Sequence, residues 1–242
     1  MTTPACPCYA GHRFPAEVIS HAVWLYFRFP LSLLPPEPAP GGRAAGGARR
    51  SVSHQTVRQW GLKFGQAFAN EIRRRLPRVG DKWHWDEVAV KIAGVQHWLW
   101  RAVDQGGTVL DILVQSRRNT KAAKRFFKKL LKGLQFARRV IVTDKLKSYG
   151  APKREVLPDV EHRQSRYLNN PAENSHQPTR RRERQMQRFK SGRQAQRFLF
   201  AHSFIYGHFR SRRHRMAAGE YRALRANAFG VWRQGTCARK AA

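Results

Sequence analysis

The sequence predicts an α/β fold: a mixed-sheet core with helices, preceded by a small helical region. Two observations lead there. The hydrophobic pattern changes from helical spacing to alternation near residue 80, and the elements beyond that point run β-β-β-α-β. A third observation bounds the function. Lys and Arg total 47 against 15 Asp and Glu, a formal net charge of +32 over 242 residues. No fold requires that excess, and self-repulsion opposes compaction. A polyanionic partner explains it, and nucleic acid fits best because phosphate contacts release counterions. A ribosomal-type RNA binder and a membrane-surface protein are the alternatives from charge alone. Hydrophobic residues make up 41% of the chain, which excludes a wholly disordered protein.

Residues 1–13 read as a flexible tail. Residues 14–29 read as a helix, with Pro15 in its first turn and Val18, Ala22, Leu25 and Phe29 at helical spacing; Pro30 ends it. The apolar stretch within it is too short to cross a bilayer, and Met1–Ala10 lacks the charged region of a signal peptide. Residues 35–50 (PPEPAPGGRAAGGARR) contain no large apolar side chain and read as a linker. Ser53 then caps a second helix that runs to about Arg75, with Val57, Trp60, Phe64 and Phe68 on its apolar face. Gln55, Thr56 and Arg58 near its start resemble the reading positions of a DNA recognition helix; an ordinary amphipathic helix shows the same pattern. Together 14–75 form a helical DNA-binding region interrupted by the linker.

Past the boundary at 76–81, Lys82–Ile92, His97–Asp104 and Thr108–Gln115 alternate as strands, with a turn at Gln105-Gly106-Gly107. A helix over Lys121–Leu134 buries Ala123, Phe126, Phe127, Leu130, Leu131 and Leu134. Arg139–Thr143 is apolar in its middle and reads as a central fourth strand, and His162–Tyr167 as a fifth. A basic helical region starts at Pro171. Between His176 and Arg215 it carries twelve Lys and Arg against the single acid Glu183. A last helix spans Glu220–Trp232, inside a C-terminal segment 216–242. An antiparallel meander, a crossover helix and a parallel fourth strand match an RNase H-like fold, assigned to residues 80–215. Three scattered cysteines give no disulfide framework and point to a reducing cytosol. Cys6, Cys8 and His12 lack the second ligand pair of a zinc site.

Acids are scarce, so each is informative. Asp86 lies mid-strand in WHWDEVAV, Asp144 ends the fourth strand in VIVTDK, and Glu173 opens a helix in NNPAENSH. If strands one and four are neighbours, the two aspartates converge, and a helix packed on the sheet brings Glu173 to them. Converging carboxylates repel and persist with bound cations or raised pKa values. Mg²⁺ or Mn²⁺ suits all-oxygen ligands, and two such ions roughly 4 Å apart clamp an in-line phosphoryl displacement. The bland reading is a strand-edge charge, a helix cap and a first-turn acid favoured by the helix dipole. Glu87 alternates to the face opposite Asp86, and Asp104 and Asp111 read as solvated.

The runs VTDKLKSYGAPKREVLPDVEHRQ and LNNPAENSHQPTRRRERQMQRFKS, with GDKWHWDEVAVKIAG and SHQTVRQWGLKFGQ, carry a resemblance. The sequence resembles bacterial insertion-sequence transposases of the sixth insertion-sequence family over about residues 9 to 232. The resemblance implies that Asp86, Asp144 and Glu173 form a DDE triad holding two Mg²⁺ (or Mn²⁺) ions. It implies a helix-turn-helix ahead of the catalytic core, and DNA contacts at Lys145, Arg180, Arg181, Arg182, Arg184 and Lys190. It further implies binding to terminal inverted repeats and target DNA, a homodimer or higher multimer, and a cytoplasmic, nucleoid-associated protein with no membrane partner.

Two departures stand out. Pro171 replaces a basic residue of the family pattern, in a first-turn position that tolerates proline. The 35–50 linker stands where the family has the first helix of its helix-turn-helix, which disrupts the DNA-binding region. We hypothesise a local frameshift that recovers frame near Ser53. Reading the nucleotides of this segment in the other frames should then yield an amphipathic acidic helix, and a segment with no such helix in any frame rejects the idea.

Overall fold

A computed structural model describes residues 9–29, 52–76, 80–134, 139–144, 149–165, 167–186, 189–210 and 216–238. The linker at 35–50 and Lys145 lie outside these residues.

Two helices precede the sheet. α1 (Ala16–Arg28) starts after Pro15 and buries Ile19, Val23, Trp24, Tyr26 and Phe27. This corrects the expected stripe, because Val18 and Phe29 are exposed. The helix is apolar nearly all round, so spacing alone did not select the packed side. α2 (His54–Arg74) is capped by Ser53, whose side chain accepts from the Thr56 amide. It buries Trp60, Phe64, Phe68 and Ile72.

β1 (Lys82–Ile92) and β2 (Val95–Asp104) form an antiparallel hairpin closed by Ala93 and Gly94, both at positive φ. Positive φ at both central residues is the type I′ turn that matches strand twist. β2 pairs antiparallel with β3 (Val109–Gln115), with a bulge opposite Ala102 and Val103. α3 (Thr120–Leu134) crosses over to β4 (Val140–Thr143), which lies parallel to β1. A short α4 (Gly150–Val156), absent from the sequence reading, leads to β5 (Glu161–Gln164), parallel to β4. The strand order is β3-β2-β1-β4-β5, the mixed RNase H-like sheet. A 3₁₀ turn at Tyr167–Asn169 then feeds α5 (Asn170–Gln185), followed by α6 (Gly192–His208) and α7 (Ala218–Thr236).

Strand alternation splits the core in two. Trp83, Trp85, Trp100 and Leu110 pack on Phe126, Phe127 and Leu130 of α3 and on Tyr149. Val88, Val90, Ile92, Leu99, Val103 and Ile112 face the other way, into a core shared with α1, α2, α6 and Trp232 of α7. Asp111 is buried rather than solvated, 1% exposed, and is held by Arg73 of α2 and Lys129 of α3. The bulge in the β2–β3 pairing puts it between those two helices. Cys237, at the end of α7, is disulfide-bonded, against the expectation of reduced thiols. The N-terminal segment runs alongside this helix end, where the Tyr9 hydroxyl donates to the Thr236 carbonyl at 2.6 Å.

α1 and α2 touch through glycines. A Cβ on Gly61 would stand 2.7 Å from Cδ1 of Tyr26, and one on Gly65 2.7 Å from Cε2 of Phe27. Phe27 is buried, so its ring cannot swing aside. Gly65→Ala should therefore cost about 1–3 kcal/mol despite alanine's advantage of roughly 1 kcal/mol inside a helix. A lowered urea midpoint at unchanged slope would show this, and an unchanged or raised midpoint would contradict the close packing.

Candidate active site

The three acids singled out in the sequence belong to three elements that meet at one level of the sheet. Asp86 sits mid-β1. Thr143, the last residue of β4, is the parallel partner of Trp85, so Asp144 follows directly beside Asp86. Glu173 lies in the first turn of α5. The start of that helix is pinned to the same point, because Asn169 Nδ2 donates to the Trp85 carbonyl at 2.9 Å. Pro171 is accommodated within the first turn, as a residue whose missing N–H has no helical partner there.

The electrostatics are uneven along β1. Burial, helped by the charges of Glu87, Asp144 and Glu173, raises the Asp86 carboxyl from its ordinary 3.8 to about 7. The nearest ring, His176, is buried, and Nε2 stands 3.5 Å from Asp86 Oδ2, too long for a good hydrogen bond. Burial and the Arg101 charge hold that imidazole well below its ordinary pKa, so it is neutral and offers no counter-charge. Glu87 points to the other face and is fully paired there. It takes Arg118 at 2.6 Å and the Tyr149 hydroxyl. Arg118 Nη2 also approaches Asp144 Oδ2, at 3.9 Å.

Arg101 was not foreseen. It is the cross-strand partner of Asp86 on β2 and is 1% exposed. Its guanidinium donates to the Ser175 carbonyl and Thr179 Oγ1 (2.8 Å) on α5, and to Ser203 Oγ (3.0 Å) on α6. Burial lowers its pKa to about 9 while Asp86 holds it up, so it stays charged at neutral pH. Counting outward from an Ala93-Gly94 turn would have paired residues 86 and 101.

Among the described residues, no group of three or more His, Cys, Asp or Glu stands ready as a metal cage. The donor set still suits a hard cation, with carboxylate oxygens arriving from three elements and the Asp86 carboxyl pushed up to about 7 by burial and its acidic neighbours. Of the residues singled out as DNA contacts, Gln55, Arg58, Arg180, Arg181, Arg184 and Lys190 are exposed. Thr56 is engaged in the cap of α2. Arg182 is a correction. It turns inward, donates to the Tyr26 and Phe29 carbonyls at the end of α1, and stacks on Tyr26. The unpaired carbonyls of a helix end attract a guanidinium more strongly than solvent does.

Residues 80–212 match the family model described as a DDE domain. The chain is 31% identical over 171 residues to the transposase for insertion sequence element IS257 in transposon Tn4003 of Staphylococcus aureus, covering 68% of this chain and 73% of that protein. It is 30% identical, over the same shares, to the transposase for insertion sequence-like element IS431mec of Staphylococcus aureus strain Mu50. The catalytic domain of the Mos1 mariner transposase aligns in structure over 72% of this chain and 92% of that chain, at 15% identity and a TM-score of 0.40.

The raised Asp86 pKa has a stability consequence. Its proton is held in the folded chain up to about pH 7 and lost near 3.8 once unfolded. The stability tied to that proton is therefore whole below about pH 4 and is lost as pH rises through 7. In EDTA, Asp86→Asn should melt higher than wild type above pH 7, by the equivalent of a few kcal/mol (on the order of 1.4 per pKa unit). The gap should close as pH falls toward 4. A gap that stays constant with pH would show Asp86 to have an ordinary pKa.

Proposed function

The chain belongs to the family of bacterial insertion-sequence DDE transposases, and from that premise we propose that Asp86, Asp144 and Glu173 are its catalytic, cation-holding acids. The reading is carried by one observation. Three of the chain's 15 acids come from β1, the end of β4 and the start of α5 to a single level of the sheet, in a protein of net charge +32. The substrate is DNA, namely the ends of the element and a target duplex, and the reaction is strand cleavage followed by strand transfer.

The three carboxylates would hold two Mg²⁺ or Mn²⁺ ions. When bound, such ions supply the charge that activates an attacking water or 3′-hydroxyl and stabilises the departing oxygen. The protein's own groups do the positioning. β1 and β4 hold the two aspartates at fixed height through parallel pairing, and the Asn169 bond to Trp85 sets the height of Glu173. His176 and Arg101 close the inner side of Asp86 against water. Arg180 lies two turns beyond Glu173 and is exposed, as are Arg181, Arg184 and Lys190; these carry the DNA backbone in this proposal. Lys145, the residue after Asp144, joins them. Gln55, Thr56 and Arg58 at the start of α2 are proposed to read the element ends. A homodimer or higher multimer on paired ends follows from joining two ends in one event. Among the described residues no helix is long and apolar enough to cross a membrane.

Strand transfer with a duplex carrying the terminal inverted repeats that flank the encoding gene tests this. Asp86→Ala, Asp144→Ala and Glu173→Ala should each lower the Mg²⁺-dependent rate by at least about two to three orders of magnitude. All three should keep salt-sensitive DNA binding in EDTA. Activity retained in any one variant removes that residue from the triad, and binding without transfer by wild type would leave a DNA-binding remnant.

A further inference from the structure

We propose that Arg118 is a phosphate ligand for the DNA strand at the reacting centre, held in position by Glu87 and Trp98. The proposal rests on the assignment of Asp144 as a cation-holding acid.

Arg118 lies in the short link between β3 and α3, one residue before Asn119, which caps α3 by accepting from the Ala122 amide at 3.0 Å. Its position is therefore set by a helix cap rather than by a free loop. The guanidinium is gripped from two directions. Nε donates to Glu87 Oε1 at 2.6 Å, and Cζ stands 4.8 Å from the centre of the Trp98 ring. The Glu87 side chain is 0% exposed, and its other oxygen takes the Tyr149 hydroxyl. A buried carboxylate is costly unless its partner is fixed. Here that fixed partner is a cation at the edge of the site.

What Arg118 leaves unused is as informative. Its side chain is 35% exposed, and the guanidinium has five N–H donors in a rigid fork suited to phosphate. Glu87 occupies one edge of that fork. Nη2 lies 3.9 Å from Asp144 Oδ2, beyond hydrogen-bond range. Arg118 thus stands beside Asp144 without being committed to it. A phosphate that shares a cation with Asp144 must lie next to that carboxylate, and so within reach of Arg118. Glu87 then has a task distinct from that of Asp86: one acid of the adjacent pair faces the cations, while its neighbour positions the arginine that takes the phosphate.

The rival account is that Arg118 only offsets the charge of the acids. The full chain, as wild type, Arg118→Gln, Arg118→Lys and Glu87→Gln, is titrated in Ca²⁺ with a short duplex carrying the inverted repeat. A second duplex has an uncharged methylphosphonate at the scissile position. On the natural duplex, Arg118→Gln should bind about tenfold more weakly, and the slope of log K against log salt should shrink by about 0.9. Arg118→Lys should keep the slope and recover part of the affinity. On the methylphosphonate duplex, wild type and Arg118→Gln should bind alike, since the partner of the guanidinium is already gone. Glu87→Gln should show the same dependence on the scissile charge with a smaller loss, which keeps the test open should Arg118→Gln fold poorly. Equal losses on both duplexes, or no loss on either, overturn the proposal. Strand transfer surviving in Asp144→Ala would instead reject the assignment of the acids, whatever the binding data for Arg118.

Discussion

Arg101 is a charge with no water to go to. It sits on β2 between Leu99 and Val103, on the face that builds the larger core; burial lowers its pKa to about 9, and Asp86, opposite on β1, works against that fall. A buried guanidinium must be met by acceptors, and the acceptors come from elsewhere in the chain. Ser175 and Thr179 supply them from α5, and Ser203 from α6. One cation therefore ties the central hairpin to α5 and α6. Glu173 owes its height above the sheet to this tie and to the Asn169 bond at the head of the same helix. Pro178 interrupts α5 between the last two of the residues that matter here, Ser175 and Thr179, and removes an amide from the helix ladder. An external anchor such as Arg101 matters more for a helix so weakened.

The two faces of β1 explain why adjacent acids differ. On one face Trp83 and Trp85 pack against α3, and Glu87, next on that face, finds Arg118 and Tyr149. These partners favour its charged form, although burial still pushes its carboxyl above the ordinary value. On the other face Asp86 finds a neutral His176 and an Arg101 whose hydrogen bonds are spent on α5 and α6. Its charge is offset only in part, by that guanidinium. Scarcity of positive charge at this single point, in a chain of net charge +32, is what a cation site requires. Arg180, Arg181 and Arg184 on α5, and Lys190 just after it, are exposed, where a DNA backbone can reach them.

Much of this was legible in the sequence. β1 matches the alternating run Lys82–Ile92 to the residue, because aromatic and β-branched side chains bounded by Gly80 and Gly94 leave no other reading. The second strand starts two residues earlier than expected, because the Ala93-Gly94 turn is a two-residue type I′ turn and not a longer link. That miss hid the pairing of Asp86 with Arg101, and with it the anchor of the site. α4 was missed because seven residues containing Pro152 show no usable period. The burial of Asp111 and the inward turn of Arg182 were missed for a shared reason. Each is satisfied by partners distant in sequence, Arg73 and Lys129 for the one and the end of α1 for the other, and no local pattern announces such partners.

Arg182 also bears on how the parts work together. The DDE domain match begins at residue 80, yet the packing recognises no boundary there. Ile19, Trp60 and Phe68 from the first two helices share one core with Val90 of the sheet and Phe198 of α6. Arg182, on the helix that carries Glu173, closes the end of α1. The proposed reading positions at the start of α2 belong to a helix packed in the same core as the sheet that carries Asp86. Residues 35–50, read from the sequence as a linker, lie outside the described residues. The placement of Asp86, Asp144 and Glu173 does not pass through that segment, because the contacts that set it, the β1–β4 pairing, the Asn169 bond and the Arg101 tie, all lie after residue 80.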